Sequence, residues 1–182
     1  MKKMWIPFPC ALALILMSIG TAGELEDVIE KHEIRQLMNR YSLAIDLTDP
    51  EAYASVFTDD GELVLAGEMV IAKGREALMA QAQSDKERFN PGAKDGTRSF
   101  MVMRSVLTNP VVTLTGEDSA TGISYIQIVV DQEGVGPVIL SQGRYEDEYR
   151  KVDGNWLIAR RSLFTTDMAN FEVAQDLGLL GP

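Results

Sequence analysis

Apolar positions in the first third of the chain repeat with a helical period. Between residues 24 and 47 they recur at steps of three and four, which places them on one stripe of a helix. Asp49-Pro50 should end this helix and begin a second, because proline disfavours helix in the residue before it and suits the first helical position. A third helix is expected from Gly74 to about Phe89. The stripe consists of Ile34, Leu37, Met38, Tyr41, Ala44 and Ile45.

Later segments have the pattern of strands. Residues 98–115, 120–130, 138–152 and 156–166 are rich in β-branched and aromatic residues, and Asp153-Gly154 is a hairpin turn signal. An earlier hairpin is predicted from 62–66 and 69–72, after a turn at Asp59-Asp60-Gly61. Helices followed by antiparallel strands indicate an α+β fold. We expect one domain over residues 23–168 and a C-terminal tail over 169–182.

The N-terminus has the three parts of a secretory signal peptide. Lys2 and Lys3 are basic, residues 11–17 are apolar, and residues 20–22 are small. A membrane anchor is the alternative, but the apolar run is shorter than the ~20 residues that a spanning helix needs. We therefore predict a signal peptide over residues 1–22 and a periplasmic or secreted domain that is free of the membrane after cleavage.

Composition excludes several classes of function. The formal net charge is −10, and loss of Lys2 and Lys3 would make it two units more negative. Such a chain is not expected to bind nucleic acid. Cys10, the only cysteine, lies in the predicted signal peptide, and His32 is the only histidine. Disulfides, thiolate nucleophiles and cysteine- or histidine-cluster metal sites are therefore not expected. No metal or organic cofactor is predicted.

Three motifs resemble the SnoaL-like proteins of the nuclear transport factor 2-like superfamily. Tyr41–Asp46 (YSLAID), followed by FTDD at Phe57–Asp60, is similar to the opening of that family. RSVLTNPV at Arg104–Val111 is similar to its next strand. GRYED at Gly143–Asp147, followed by DGNW at Asp153–Trp156 and by Arg161, is similar to its closing hairpin. The resemblance runs through residues 24–166 in the family's order.

The resemblance implies a cone-shaped fold, in which a curved antiparallel sheet wraps around three N-terminal helices. It also implies an internal pocket for a small, largely apolar molecule. Members of the family include dehydratases, isomerases, hydrolases and polyketide cyclases, as well as proteins without an assigned activity. Sheet-to-sheet homodimers are common among them, and residues 125–130 supply an apolar strand for such a contact or for the core.

Asp46 matches the acidic residue that works with a histidine in scytalone dehydratase-like relatives. A carboxylate in an apolar cavity has a raised pKa, which suits general acid–base chemistry near neutral pH. The alternative is that Asp46 merely ends the first helix. The resemblance places the family's histidine at Ser105, so the Asp–His dyad of the dehydratases is not expected here.

Other candidate ligand-binding residues have structural alternatives. Asp46, Arg104 and Asn109 are the residue types that activate water in limonene epoxide hydrolase-like relatives, but Asn109 before a proline is also typical of a bulge. Tyr41 and Tyr145 are predicted to offer hydroxyls to the pocket, although buried tyrosines are more often core residues. On the predicted strand the alternation puts Tyr145, Asp147 and Tyr149 on one face.

Three functions remain open from the sequence. The first is an exported protein that binds a small apolar molecule without catalysis. The second is a cofactor-free lyase, isomerase or hydrolase that uses Asp46 as general acid or base. The third is a non-catalytic interaction module. The missing histidine favours the first over the second.

Overall fold

The computed structural model describes residues 10–89, 103–132 and 135–165. Residues 1–9 of the predicted signal peptide, the predicted loop 90–96 and the tail 169–182 lie outside the described residues. The elements are α1 (Cys10–Asp46), α2 (Pro50–Ser55), β1 (Phe57–Leu65), β2 (Met69–Lys73), α3 (Gly74–Phe89), β3 (Met103–Leu114), β4 (Ser119–Gln132), β5 (Gly136–Val152) and β6 (Asn155–Thr165).

The three predicted helices are confirmed, with small differences at their ends. α1 includes the predicted amphipathic segment and continues towards the N-terminus to Cys10. Asp49 caps α2, since its carboxylate accepts a hydrogen bond of 3.0 Å from the backbone N–H of Ala52. α3 has the predicted bounds. Within the described ranges, no helix is long and apolar enough to span a membrane.

The sheet has six strands in the order β2-β1-β6-β5-β4-β3. Four of its five pairs are antiparallel, but β1 and β6 run parallel. This pair corrects the expectation of a purely antiparallel sheet. Parallel neighbours need a long crossover connection, and here β1 and β6, the first and last strands of the described residues, form the parallel pair.

The predicted turn at Asp59-Asp60-Gly61 is wrong, because β1 runs through these residues. The pairing of β1 with β6 is irregular between Phe57 and Glu62. A Cβ on Gly61 would lie 2.9 Å from Phe57 Cβ and 2.9 Å from the Thr58 carbonyl oxygen. The Asp-Asp-Gly signal therefore marks a tight irregularity within a strand instead of a reversal of the chain.

One face of the sheet, here called the inner face, packs against α1. The predicted alternation on β5 is confirmed: Tyr145, Asp147 and Tyr149 are buried, whereas Arg144 and Glu148 are exposed on the outer face. Most of the predicted stripe of α1 is buried here, and burying these apolar groups is the main stabilising contribution. The buried members of the stripe are Ile34, Leu37, Met38, Tyr41 and Ala44.

A polar contact fixes α1 against the turn between β5 and β6. The Glu30 carboxylate accepts a hydrogen bond of 2.6 Å from Lys151 Nζ and another from Trp156 Nε1. Its pKa is lowered by the hydrogen bonds from Lys151 and Trp156. The helix that carries Tyr41 and Asp46 is thereby held in place along the sheet.

Candidate functional site

Asp46 is the last residue of α1 and lies half-buried beside β3. Its carboxylate accepts a hydrogen bond of 2.8 Å from the backbone N–H of Ser105. Burial raises the pKa of Asp46, while hydrogen bonding from Ser105 and the positive charge of Arg104 oppose that rise. The structure thus brings Asp46 and Ser105 together, in the pair of positions at which the resemblance implies an acid and a histidine.

Arg104 and Asn109 do not join Asp46 in a hydrogen-bonded group among the described residues. Arg104 Nη1 lies 3.3 Å from Asp131 Oδ2, and both side chains are well exposed. Asn109 is exposed and has a φ of 52°, at the register shift between β3 and β4. The bulge interpretation of Asn109 is therefore confirmed, and the Asp–Arg–Asn arrangement that would activate water is not formed.

Tyr41 and Tyr145 meet in an aromatic cluster on the inner face. Their ring centroids are 5.8 Å apart, and Tyr41 also lies 5.2 Å from Tyr53 and 5.9 Å from Phe57. Burial first, and then the neighbouring Tyr41, raises the pKa of Tyr53 and of Tyr145. The hydroxyls of Tyr53 and Tyr145 therefore stay protonated at neutral pH.

An ion pair that sequence reasoning did not identify lies against this cluster. Arg161 donates through Nε to Asp147 Oδ1 at 2.8 Å and through Nη2 to Asp147 Oδ2 at 2.7 Å. Both side chains are 0% exposed. The Tyr149 hydroxyl donates to Asp147 Oδ2 at 2.6 Å. Burial alone would lower the pKa of Arg161, but Asp147 holds it well above its ordinary value.

The guanidinium of Arg161 is covered by two tyrosine rings. Its Cζ lies 3.9 Å from the ring centroid of Tyr41 and 4.3 Å from that of Tyr145, within the range of a cation–π contact. Asp147 shares a predicted buried face with Tyr145 and Tyr149. A carboxylate on such a face is a sequence signal for a buried cationic partner.

The inner face also holds buried polar atoms that lack a hydrogen-bond partner. Among the described residues these include Ser42 Oγ on α1, Ser124 Oγ on β4 and Arg161 Nη1 on β6. Ser42 lies one helical turn before Asp46 and hence on the same side of α1. The same part of the chain contains no group of three or more His, Cys, Asp or Glu side chains that would hold a metal ion.

A separate groove of about 390 Å³ lies on the outer face of the sheet. Tyr125, Arg144 and Phe164 are among its lining residues. Arg144 Cζ lies 4.4 Å from the Phe164 ring centroid. None of the sequence-predicted site residues lines this groove.

The helices and the curved sheet of the described residues have the α+β fold of nuclear transport factor 2-like proteins. The SnoaL-like domain model matches residues 26–162, and the chain belongs to that family. The predicted resemblance and fold class are therefore confirmed.

Two solved structures illustrate the similarity. A protein of unknown function from Mycobacterium tuberculosis is 31% identical, with a TM-score of 0.67 over 85% of this chain and 88% of that one. A putative scytalone dehydratase from Novosphingobium aromaticivorans is 26% identical, with a TM-score of 0.62 over 80% of this chain and 89% of that one.

A third structure is similar in fold alone. A hexachlorocyclohexane dehydrochlorinase is 19% identical, with a TM-score of 0.62 over 79% of this chain and 89% of that one. No curated protein matches the chain.

Proposed function

We propose that this protein is exported and binds a small, largely apolar molecule between α1 and the inner face of the sheet, without catalysis. The observation that supports binding without catalysis is the hydrogen-bond partner of the Asp46 carboxylate. A dehydratase-type site needs an acid and a base that exchange protons with substrate. Here the carboxylate is held by the backbone N–H of Ser105, and a backbone amide does not serve as a base.

Buried polar atoms support binding at the same place. Ser42 Oγ and Ser124 Oγ are buried without a partner among the described residues. An unsatisfied buried polar group is costly, and a bound molecule with polar atoms would remove that cost. The site then combines apolar walls with a few polar contacts, which is the usual composition of a small-molecule site.

A thermal-shift screen against apolar alcohols, lactones and steroid-like compounds tests the proposal. At least one compound class should raise the Tm in a concentration-dependent manner, because a ligand that binds only the folded state stabilises it. No stabilisation by any class, together with a crystal structure in which side chains fill the space between α1 and the sheet, would refute it.

A second candidate is a cofactor-free lyase, isomerase or hydrolase that uses Asp46. The raised pKa of Asp46 favours it, as does the similarity to a protein described as a putative scytalone dehydratase. If any turnover is found, Asp46→Asn should abolish it without loss of binding. An unchanged rate would remove Asp46 from the mechanism.

We also propose that the protein forms a homodimer through the outer face of the sheet. Val111, Ile123 and Tyr125 expose 63%, 49% and 53% of their surfaces on adjacent strands of that face. Clustered exposed apolar side chains are typical of protein–protein contacts, and a second copy of the chain is the partner that we propose for them.

A further inference from the structure

One nitrogen of the buried Arg161 guanidinium is available for a further hydrogen bond. Asp147 engages Nε and Nη2, which lie on one edge of the planar group. Nη1 is on the other edge, is buried, and has no hydrogen-bond partner among the described residues. The rings of Tyr41 and Tyr145 are already in contact with the cation. A further partner for Arg161 must therefore be an acceptor that reaches Nη1.

The charge around Arg161 restricts what that acceptor is. Arg161 and Asp147 neutralise each other, and the hydroxyls of Tyr53, Tyr145 and Tyr149 stay protonated because burial raises the pKa of each. An additional anion would be buried without a compensating charge, which is costly. A neutral carbonyl oxygen avoids this cost. It is also only an acceptor, so it requires no acceptor in return.

We infer that Arg161 Nη1 is the polar end of the binding site and takes the carbonyl oxygen of a neutral, otherwise apolar ligand. The ligand class is a ketone, ester or lactone, and Tyr41 and Tyr145 orient the donor by covering the guanidinium. The inference rests on the proposed function and specifies its ligand.

A set of three matched probes tests this ligand class on the full chain. The probes are 2-tetralone, its hydrocarbon tetralin, and tetralin-2-carboxylate, with binding followed by calorimetry. A hydrogen bond from a charged donor should make the ketone bind at least about tenfold more tightly than the hydrocarbon. The carboxylate should bind more weakly than the ketone.

A double variant assigns the effect to Arg161. Arg161→Met with Asp147→Leu removes both charges and leaves no orphan charge in the core. Its folding is checked by circular dichroism, and the preference for the ketone over tetralin should disappear. The matched control is Arg144→Met with Glu146→Leu, an Arg–Glu pair with an N–O distance of 2.7 Å on the outer face. This control should keep the preference.

A measurement on the unmodified protein serves if the double variant does not fold. In a crystal structure with 2-tetralone, the carbonyl oxygen should lie within hydrogen-bond distance of Arg161 Nη1. A water that holds this position in the complex would overturn the inference, and so would a carbonyl bound at Asp46.

The outcomes separate the inference from the proposed function. Equal affinity for 2-tetralone and tetralin, or tightest binding of the carboxylate, overturns the inference and leaves apolar binding intact. A preference that persists in the folded double variant also overturns it. Failure of all three probes to bind, together with a negative thermal-shift screen, contradicts both.

Discussion

At the scale of single residues, the burial of Asp46 makes the stability of the protein depend on pH. Burial raises its pKa in the folded protein, so folding favours the protonated form. The resulting stabilisation is complete at low pH and is lost as the pH rises from the unfolded pKa of about 3.9 through the folded pKa. At neutral pH the buried charge of Asp46 therefore opposes folding.

Asp46→Asn should remove this pH dependence. The amide keeps an oxygen for the Ser105 N–H and carries no charge, so the variant should equal or exceed the wild type in free energy of unfolding at pH 7. The gain should shrink as the pH falls through the raised pKa of the folded wild-type carboxyl. Urea unfolding from pH 4 to 8 measures this. A stability difference that does not change with pH would contradict the raised pKa.

The pair of Arg161 and Asp147 should behave as a unit. Arg161→Met alone leaves the Asp147 charge buried and unpaired, which should cost about 3–5 kcal/mol. Arg161→Met with Asp147→Leu should cost less, the remainder being mainly the Tyr149 hydrogen bond, about 1 kcal/mol. A double-mutant cycle by urea unfolding measures the coupling. Losses that simply add would show that the two residues act independently.

At the scale of elements, α1 carries both Asp46 and Tyr41, so the position of α1 on the sheet sets the geometry of the site. Glu30 holds α1 in that position through its hydrogen bonds with Lys151 and Trp156.

Glu30→Ala should destabilise the fold by about 1–3 kcal/mol, since it removes an acceptor from two donors. Because the pKa of Glu30 is lowered, its contribution exists above the unfolded pKa, about 4.3, and is lost as the pH falls through the folded pKa. Thermal unfolding at pH 7 measures the effect, with Glu26→Ala, an exposed residue of the same helix, as the control. Equal Tm values for the two variants would refute the role of Glu30.

The elements show which features local sequence encodes. The period of three and four in α1, the cap at Asp49 and the alternation on β5 are set by neighbours a few residues away, and these predictions are confirmed. The parallel pair of β1 and β6 joins distant segments. This pairing depends on closure of the whole sheet, which cannot be predicted from the sequence pattern of either strand.

The residues of the candidate site also differ in how far the sequence predicts their positions. The position of Asp46 beside Ser105 was anticipated from the family resemblance. The resemblance includes Arg161 in the closing hairpin, but it does not predict the burial of that side chain, since an arginine in a strand is usually exposed. Its burial depends on Asp147, Tyr41 and Tyr145 meeting around it from three different elements. Arg104 and Asn109 had suitable chemistry, but their strand directs them away from the interior.

At the scale of the whole molecule, the apolar outer face predicts a dimer. Ile123→Asp should convert the proposed dimer into a monomer, because a charge would be buried in the contact. Light scattering after gel filtration measures the mass, which is 20.1 kDa for one full-length chain that keeps residues 1–22. Leu25→Asp, an exposed apolar position on α1, is the control and should stay dimeric. A wild-type protein that is monomeric at all concentrations would contradict the proposal.

A small molecule is proposed to bind between α1 and the inner face of the sheet. Native mass spectrometry of protein purified from its own host detects such a molecule. We expect an added mass that is lost on denaturation. The mass should be absent from Ser105→Phe, which places a large ring beside Asp46, and retained in Thr113→Phe, an exposed position of the same strand. A protein that carries no added mass and gains none from any compound class would contradict the account.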